Sequence, residues 1–224
     1  MTPIELMLLE AASVGQGDPW FANVQTLIQP KATDTSISDY SSFHRAVTVS
    51  GGAAVSSSGM FTGYGGVPLD GVDDALSVSI PALGTQDFVA EAWLNLTDFS
   101  APRPIFDFRS GDANGFDLYT DSNGKLYASR DGFGFGGSAS TFPLGADAYV
   151  MAVRTGNSVA VFVNGVQVLS FPYGLSISTT TSRICWGSNG RFKGKLYAHR
   201  LTVGSNRGYT GSAISIPVEP WPTT

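Results

Sequence analysis

Cysteine is almost missing from this chain: Cys185 stands alone among 224 residues. A single cysteine excludes an internal disulfide and leaves the redox compartment open. No staple is required, since a chain of this length buries roughly 70% of its unfolded surface. Cys185 lies between Ile184 and Trp186 in an apolar stretch, and reads as a small core residue. Charge is equally scarce, with 14% charged residues, a formal net charge of -5, and no two lysines or arginines adjacent. Phosphate backbones are held by clustered positive charge, so no nucleic-acid partner is expected. Long apolar runs are missing too. None approaches the roughly 18 residues of a membrane helix, and no membrane partner is expected. The first residues, MTPIELMLLEAASVGQG, carry Glu5 and Glu10 and lack a basic start, so they read as a retained segment rather than a leader. Histidine is limited to His44 and His199, with no Gly-x-Ser-x-Gly elbow. That leaves neither a nucleophile triad nor a zinc set with Cys185, and both histidines read as strand residues.

Glycine is abundant, 27 in all, which suits a body of many tight turns and argues against disorder. Residues 2–13 predict the one helix. Thr2, Pro3 and Glu5 supply a capping box and a first-turn proline. Ile4, Met7, Leu8 and Ala11 share a stripe while Leu6 and Leu9 lie off it, so much of the girth is apolar. Such a short helix is marginal alone and must pack on something. Its own sandwich and a neighbouring subunit are both open as that surface. Ile4, Leu6, Met7, Leu8 and Leu9 are therefore candidate assembly anchors. The chain divides into an arm, 1–17, and a single domain, 18–224.

From Asp18 onward the pattern is β. In SVAVFVNGVQVLSF, 158–171, alternating valines meet an Asn164-Gly165 pair suited to a type I′ hairpin turn. In GFDLYTDSNGKLYASR, 115–130, a DSNG turn joins strands that alternate Phe116, Leu118, Leu126 and Ala128. Further strands are predicted at 21–28, 45–49, 75–80, 88–96, 103–109, 148–155, 182–187 and 194–203. Turn clusters separate them at sandwich spacing, and no helix alternates with them as a parallel sheet would require. The proline-rich tail, IPVEPWPTT, cannot pair centrally and is expected to lie along an edge.

Several blocks, in order, resemble the laminin G-like, concanavalin A-like jelly-roll domains of bacteriophage structural proteins. They are DPWFANVQTLI (18–28), VTVSGGAAVS (47–56), VPLDGVDDALSV (67–78), DFVAEAWLNL (87–96), IFDFRSGDANGFDLYTDSNGKLY (105–127), VFVNGVQV (161–168) and FKGKLYAHRLTVGSNRGYTG (192–211). The resemblance spans about 190 residues. It implies an all-β, two-sheet antiparallel jelly-roll sandwich of the concanavalin A-like lectin/glucanase type, here with a short N-terminal helix. It also implies a virion structural protein of a tailed phage, a head-decoration or tail accessory subunit. The expected partners are other virion proteins and further copies of the chain, and the expected location is the exposed surface of the virion.

The same fold hosts glucanases, which set carboxylates across a cleft. Glu91 is flanked at 89 and 93 by Val and Trp, so no enzyme is expected. Some laminin G-like domains hold calcium, and Asp107, Asp112, Asn114, Asp117, Asp121 and Asn123 gather within one turn-rich stretch. Asp and Asn are equally the default turn residues, so no metal or other cofactor is assigned. Beside this stretch, GFGFGGSAS at 132–140 reads as a glycine-rich loop. Tyr119, Tyr127, Arg130, Phe133 and Phe135 near it are the candidate contacts for a host surface glycan or a neighbouring subunit.

Overall fold

Asn164 and Gly165 both take positive φ, 49° and 82°, and close the tight turn their sequence predicts. Around this and similar turns the described residues fold as β-strands apart from one 3₁₀ turn. The computed structural model describes residues 17–130 and 133–224. The helix expected at 2–13, with its anchor residues Ile4, Leu6, Met7, Leu8 and Leu9, lies outside the described residues.

A 3₁₀ turn, Phe21–Asn23, leads into β1 (Val24–Ile28). Then come β2 (Val47–Ser50), β3 (Val67–Asp70), β4 (Ala75–Ser79), β5 (Phe88–Leu96) and β6 (Arg103–Asp107). The middle of the chain forms β7 (Asp117–Thr120), β8 (Lys125–Arg130), β9 (Phe133–Thr141), β10 (Asp147–Thr155), β11 (Ser158–Val163) and β12 (Val166–Pro172). β13 (Thr181–Ile184), β14 (Trp186–Gly187), β15 (Gly190–Arg191) and β16 (Lys193–Val203) complete it.

Two antiparallel sheets stack face to face. The first runs β1-β16-β5-β10-β11-β12, with β3 also pairing β16; the second runs β2-β4-β13-β6-β7-β8-β9. Ala90, Ala92 and Leu94 of β5 face Leu76, Ile184, Phe106 and Leu118 across one continuous core. Phe88, Phe108, Phe116, Phe171 and Tyr173 fill one end of it, with centroids 5.4–6.2 Å apart. His199 is fully buried beside Phe106 at 5.7 Å, and burial holds its imidazole down at about 4. Cys185 is buried as expected, and burial pushes its thiol up.

Four sequence expectations are corrected by this packing. The strand expected at 182–187 breaks at Cys185, which takes φ 63°, so its amide reaches Ile105 O and its carbonyl receives the amide of Phe192. The expected loop at 132–140 is edge strand β9, because β8 offers its backbone groups to it and glycine does not forbid pairing. The strand expected at 21–28 begins as a 3₁₀ turn. The tail does not follow an edge. Trp221 is buried against the outer face of the first sheet, where its backbone amide and carbonyl pair with the Gln29 side chain at 2.8 and 3.1 Å.

That last contact belongs to a second core. Residues 205–224, the loop carrying Met60 and Phe61, and the start of the described chain roof the first sheet from outside. Eight of the nine residues of β5 are therefore buried, whichever face they point to. Glu91 shares its face with Trp93, opposite to Phe88. Arg200 donates to Glu91 through Nε (2.7 Å) and Nη2 (3.0 Å), and Tyr149 Oη donates to it as well. Arg200 and Arg207 then reach Asp18 at 3.3 and 2.9 Å, and Arg200 lies 4.5 Å over the Trp221 ring. Buried charges are stable only when fully paired. Here the pairing fastens both terminal segments to the sheet.

Candidate functional site

Among the described residues, the outer face of the second sheet carries no apolar core of its own and is polar instead. One row crosses seven strands of it: Thr48, Ser77, Arg183, Asp107, Asp117, Ser129 and Gly134 stand in register. The neighbouring inward row is Leu76, Ile184, Phe106, Leu118 and Ala128. Strand alternation thus turns polar residues outward wherever the core takes an apolar one.

At the centre of the row, Asp107 and Asp117 are fully buried side by side. Arg109 bridges them, with Nη2 at 2.6 Å from Asp117 and 3.4 Å from Asp107. Arg183 approaches Asp107 at 3.6 Å. Ser129 Oγ and Asn189 Nδ2 donate to Asp117 at 2.6 and 2.5 Å. Burial pushes the Asp117 carboxyl up to about 6, the Asp107 charge adds to the rise, and Ser129, Arg109 and Asn189 oppose it. The β14–β15 hairpin, which carries Ser188 and Asn189, holds both carboxylates beneath polar caps.

Aromatic rings flank this polar centre. Tyr119 and Tyr127 are cross-strand partners, stacked 6.1 Å apart at 22° and half-buried. Tyr127 lies over Gly137 so closely that a Cβ there would stand 2.6 Å from its ring, which is why the edge strand carries glycine at that position. On the other side Trp186 is half-buried, with its indole nitrogen donating to Leu76 O at 2.7 Å. The guanidiniums of Arg183 and Arg191 lie 4.5 and 4.9 Å from its ring centroid, within the range of a cation–π attraction.

The five residues expected as contacts therefore separate. Tyr119 and Tyr127 stand together on the outer face. Arg130 and Phe133 pair at the end of the β8–β9 hairpin, 5.2 Å apart, and Phe133 is 53% exposed. Phe135 is only partly exposed. It turns inward and stacks on Phe171 at 4.5 Å and 14°, because the core ends there and leaves room for one more ring. Trp186, Arg183, Arg109 and Asn189 were not foreseen. A lone tryptophan between two arginines was the available signal, and it is obscured by the break at Cys185. Of the acidic stretch expected as a turn cluster, Asp107 and Asp117 come together under Arg109, and the others cap separate turns. Asp112 accepts the amides of Asn114 and Thr179, and Asp121 those of Asn123 and Lys125.

A family model described as the concanavalin A-like lectin/glucanases superfamily matches residues 70–201, more than half of the chain. The chain belongs to that superfamily. No curated protein matches its sequence. Among solved structures, this concanavalin A-like domain resembles a botulinum neurotoxin serotype D/C binding domain with a TM-score of 0.61 at 11% identity. That match covers 81% of this chain and 49% of the other, so the chain spans about half the length of the neurotoxin domain. Domain 4 of AbnA, an extracellular arabinanase from Geobacillus stearothermophilus solved with arabinotriose, gives a TM-score of 0.59 at 16% identity, over 81% of this chain and 93% of the other. A Trypanosoma rangeli sialidase in complex with sialic acid gives 0.61 at 14%, over 84% and 31%. At such identities these likenesses establish the fold.

Proposed function

We propose that this lectin-fold domain is a non-enzymatic recognition module that binds a glycan on the outer face of its second sheet. The observation that carries the reading is the arrangement of half-buried rings, Tyr119 with Tyr127 and Trp186 with its two arginines, around a polar centre on the second sheet. Rings of this kind stack on pyranose faces, while Ser, Asn and Arg groups receive and donate hydroxyl hydrogen bonds. The solved relatives bound to arabinotriose and sialic acid lend support. Catalysis is disfavoured by the same geometry. Glu91 is bound by Arg200 beneath Trp221, and Asp107 and Asp117 are bound by Arg109 beneath Asn189. Neither carboxylate group meets a cleft where a glycosidic bond can enter.

The setting we propose is the exposed surface of a tailed-phage virion, with the chain as a decoration or tail accessory subunit beside other virion proteins and further copies of itself. The ordered sequence blocks, resembling phage structural domains, support this part. Retention of the purified chain on immobilised host-envelope polysaccharide tests the binding reading. The account expects Tyr127→Ala and Trp186→Ala each to reduce affinity by about tenfold, a loss of 1–2 kcal/mol per ring, in variants that circular dichroism shows to be folded. Undiminished retention by both folded variants removes this face from consideration.

A further inference from the structure

The polar centre of the second sheet's outer face is unevenly charged towards solvent. The Asp107 and Asp117 side chains are fully buried, while those of Arg109 and Arg183, which meet them, remain 13% and 22% exposed. The backbone of Gly187 packs directly on Asp107 Oδ2, and Asn189 donates to Asp117. The β14–β15 hairpin thus shuts both carboxylates away, and what reaches the surface there is guanidinium. Arg109 and Arg183 approach one oxygen, Asp107 Oδ2, at 3.4 and 3.6 Å. Arg183 and Arg191 in turn share the Trp186 ring. Three cations stand in a chain over two covered acids, in a protein whose formal net charge is -5.

Two of the three are short of partners. Elsewhere Arg103, Arg200 and Arg207 each form a close ion pair with a carboxylate. Arg191 forms none among the described residues, and Arg183 meets only Asp107, at 3.6 Å. Arg183 donates to Ser110 Oγ at 3.0 Å, and Arg191 to its neighbour Gly190 O at 3.4 Å. The Nε of each has no acceptor. A guanidinium laid on an indole gives up its flat face and keeps its in-plane N–H donors. Such donors match the oxygens of an oxyanion two at a time.

We propose that the glycan bound on this face is acidic, with its anionic group held by Arg183 and Arg191. The inference rests on the glycan reading and narrows it to polysaccharides whose sugars carry a carboxylate or a sulfate. The tyrosine pair takes the sugar and the arginines take its acid. A neutral hydroxyl can accept one N–H, but a charge-assisted hydrogen bond is roughly twice as strong. The negative net charge of the chain does not oppose this. Screening at physiological salt confines attraction and repulsion to about 8 Å, so the local arginines outweigh distant carboxylates.

Affinity of the full chain is compared on immobilised polygalacturonate, on the same polymer with its carboxyls methyl-esterified, on dextran sulfate and on polyglutamate, in about 0.15 M salt. Esterification should weaken binding by at least about tenfold, and Arg183→Gln and Arg191→Gln should each do the same to polygalacturonate binding. Lys31→Gln, which removes an exposed charge beyond β1, should change it less than about twofold. If Arg183→Gln does not fold, Arg191→Gln decides, since its only hydrogen bond is to Gly190. Tighter binding to dextran sulfate with the same arginine dependence supports an acidic glycan and assigns the acid as sulfate. Equal binding of polygalacturonate and its ester, lost in Tyr127→Ala but not in Arg191→Gln, overturns the acidic assignment and leaves the glycan reading standing. Polyglutamate held as tightly as polygalacturonate, with Tyr127→Ala unchanged, overturns both. No binding to either acidic polysaccharide overturns the assignment.

Discussion

Individual buried charges set how this domain responds to acid. His199 and Asp117 are perturbed in opposite senses by the same cause, burial. The imidazole is held down at about 4, so its contribution is present above about 6.5 and lost as pH falls through the window to 4. The Asp117 carboxyl is pushed up to about 6, so its contribution is complete below about 4 and lost as pH rises through 6. Each is worth on the order of 3 kcal/mol, and between pH 4 and 6 they offset one another. Asp117→Asn should remove the gain on acidification and expose the loss from His199. Urea unfolding at intervals from pH 7 to 4 should then show a steeper fall for the variant than for the wild type. Parallel profiles would mean that Asp117 does not titrate in this window. The sequence allowed His199 to be placed in a strand, since the pattern around it alternates. It did not reveal the Glu91–Arg200 pair or the Asp107–Arg109–Asp117 bridge, because such partners are brought together only by strand order.

At the scale of elements, local signals stand in the sequence and non-local ones do not. The hairpins β7–β8 and β11–β12 stand where Asp121 to Gly124 and Asn164-Gly165 place them, since each turn is written in four residues or fewer. Strand β9 was read as a loop because FGFGGSAST has too little bulk to announce a strand, and its pairing is donated by β8. This strand distinguishes its two phenylalanines. Phe135→Ala should cost about 2 kcal/mol of stability, since the ring stacks on Phe171. Phe133→Ala, at an exposed ring, should cost less than about 0.5 kcal/mol. Thermal melts of the two single variants check this directly. Equal losses would show that β9 packs as one unit.

At the scale of the whole molecule, one architectural choice governs where a partner can bind. A jelly-roll sandwich has two outer faces, and this chain spends its own terminal segments on one of them. Trp20 and Trp221 lie against Arg207 and Arg200, and Trp93 packs against Phe61 and Tyr149 under the same roof. A groove of about 410 Å³ beside Tyr209 opens in that roof. The fold itself was legible, because alternation and turn chemistry recur along the chain. The choice of face was not, since it depends on where residues 205–224 return and on the ion pairs that hold them. Four tryptophans happen to report on the two faces. The most direct measurement of the central claim is a two-dimensional NMR titration of the four indole N–H signals with a glycan that the chain retains. The account predicts that the Trp186 signal moves with saturation while those of Trp20, Trp93 and Trp221 stay in place. Movement of Trp93 or Trp221 with Trp186 unmoved would contradict it, and would place recognition on the roofed sheet.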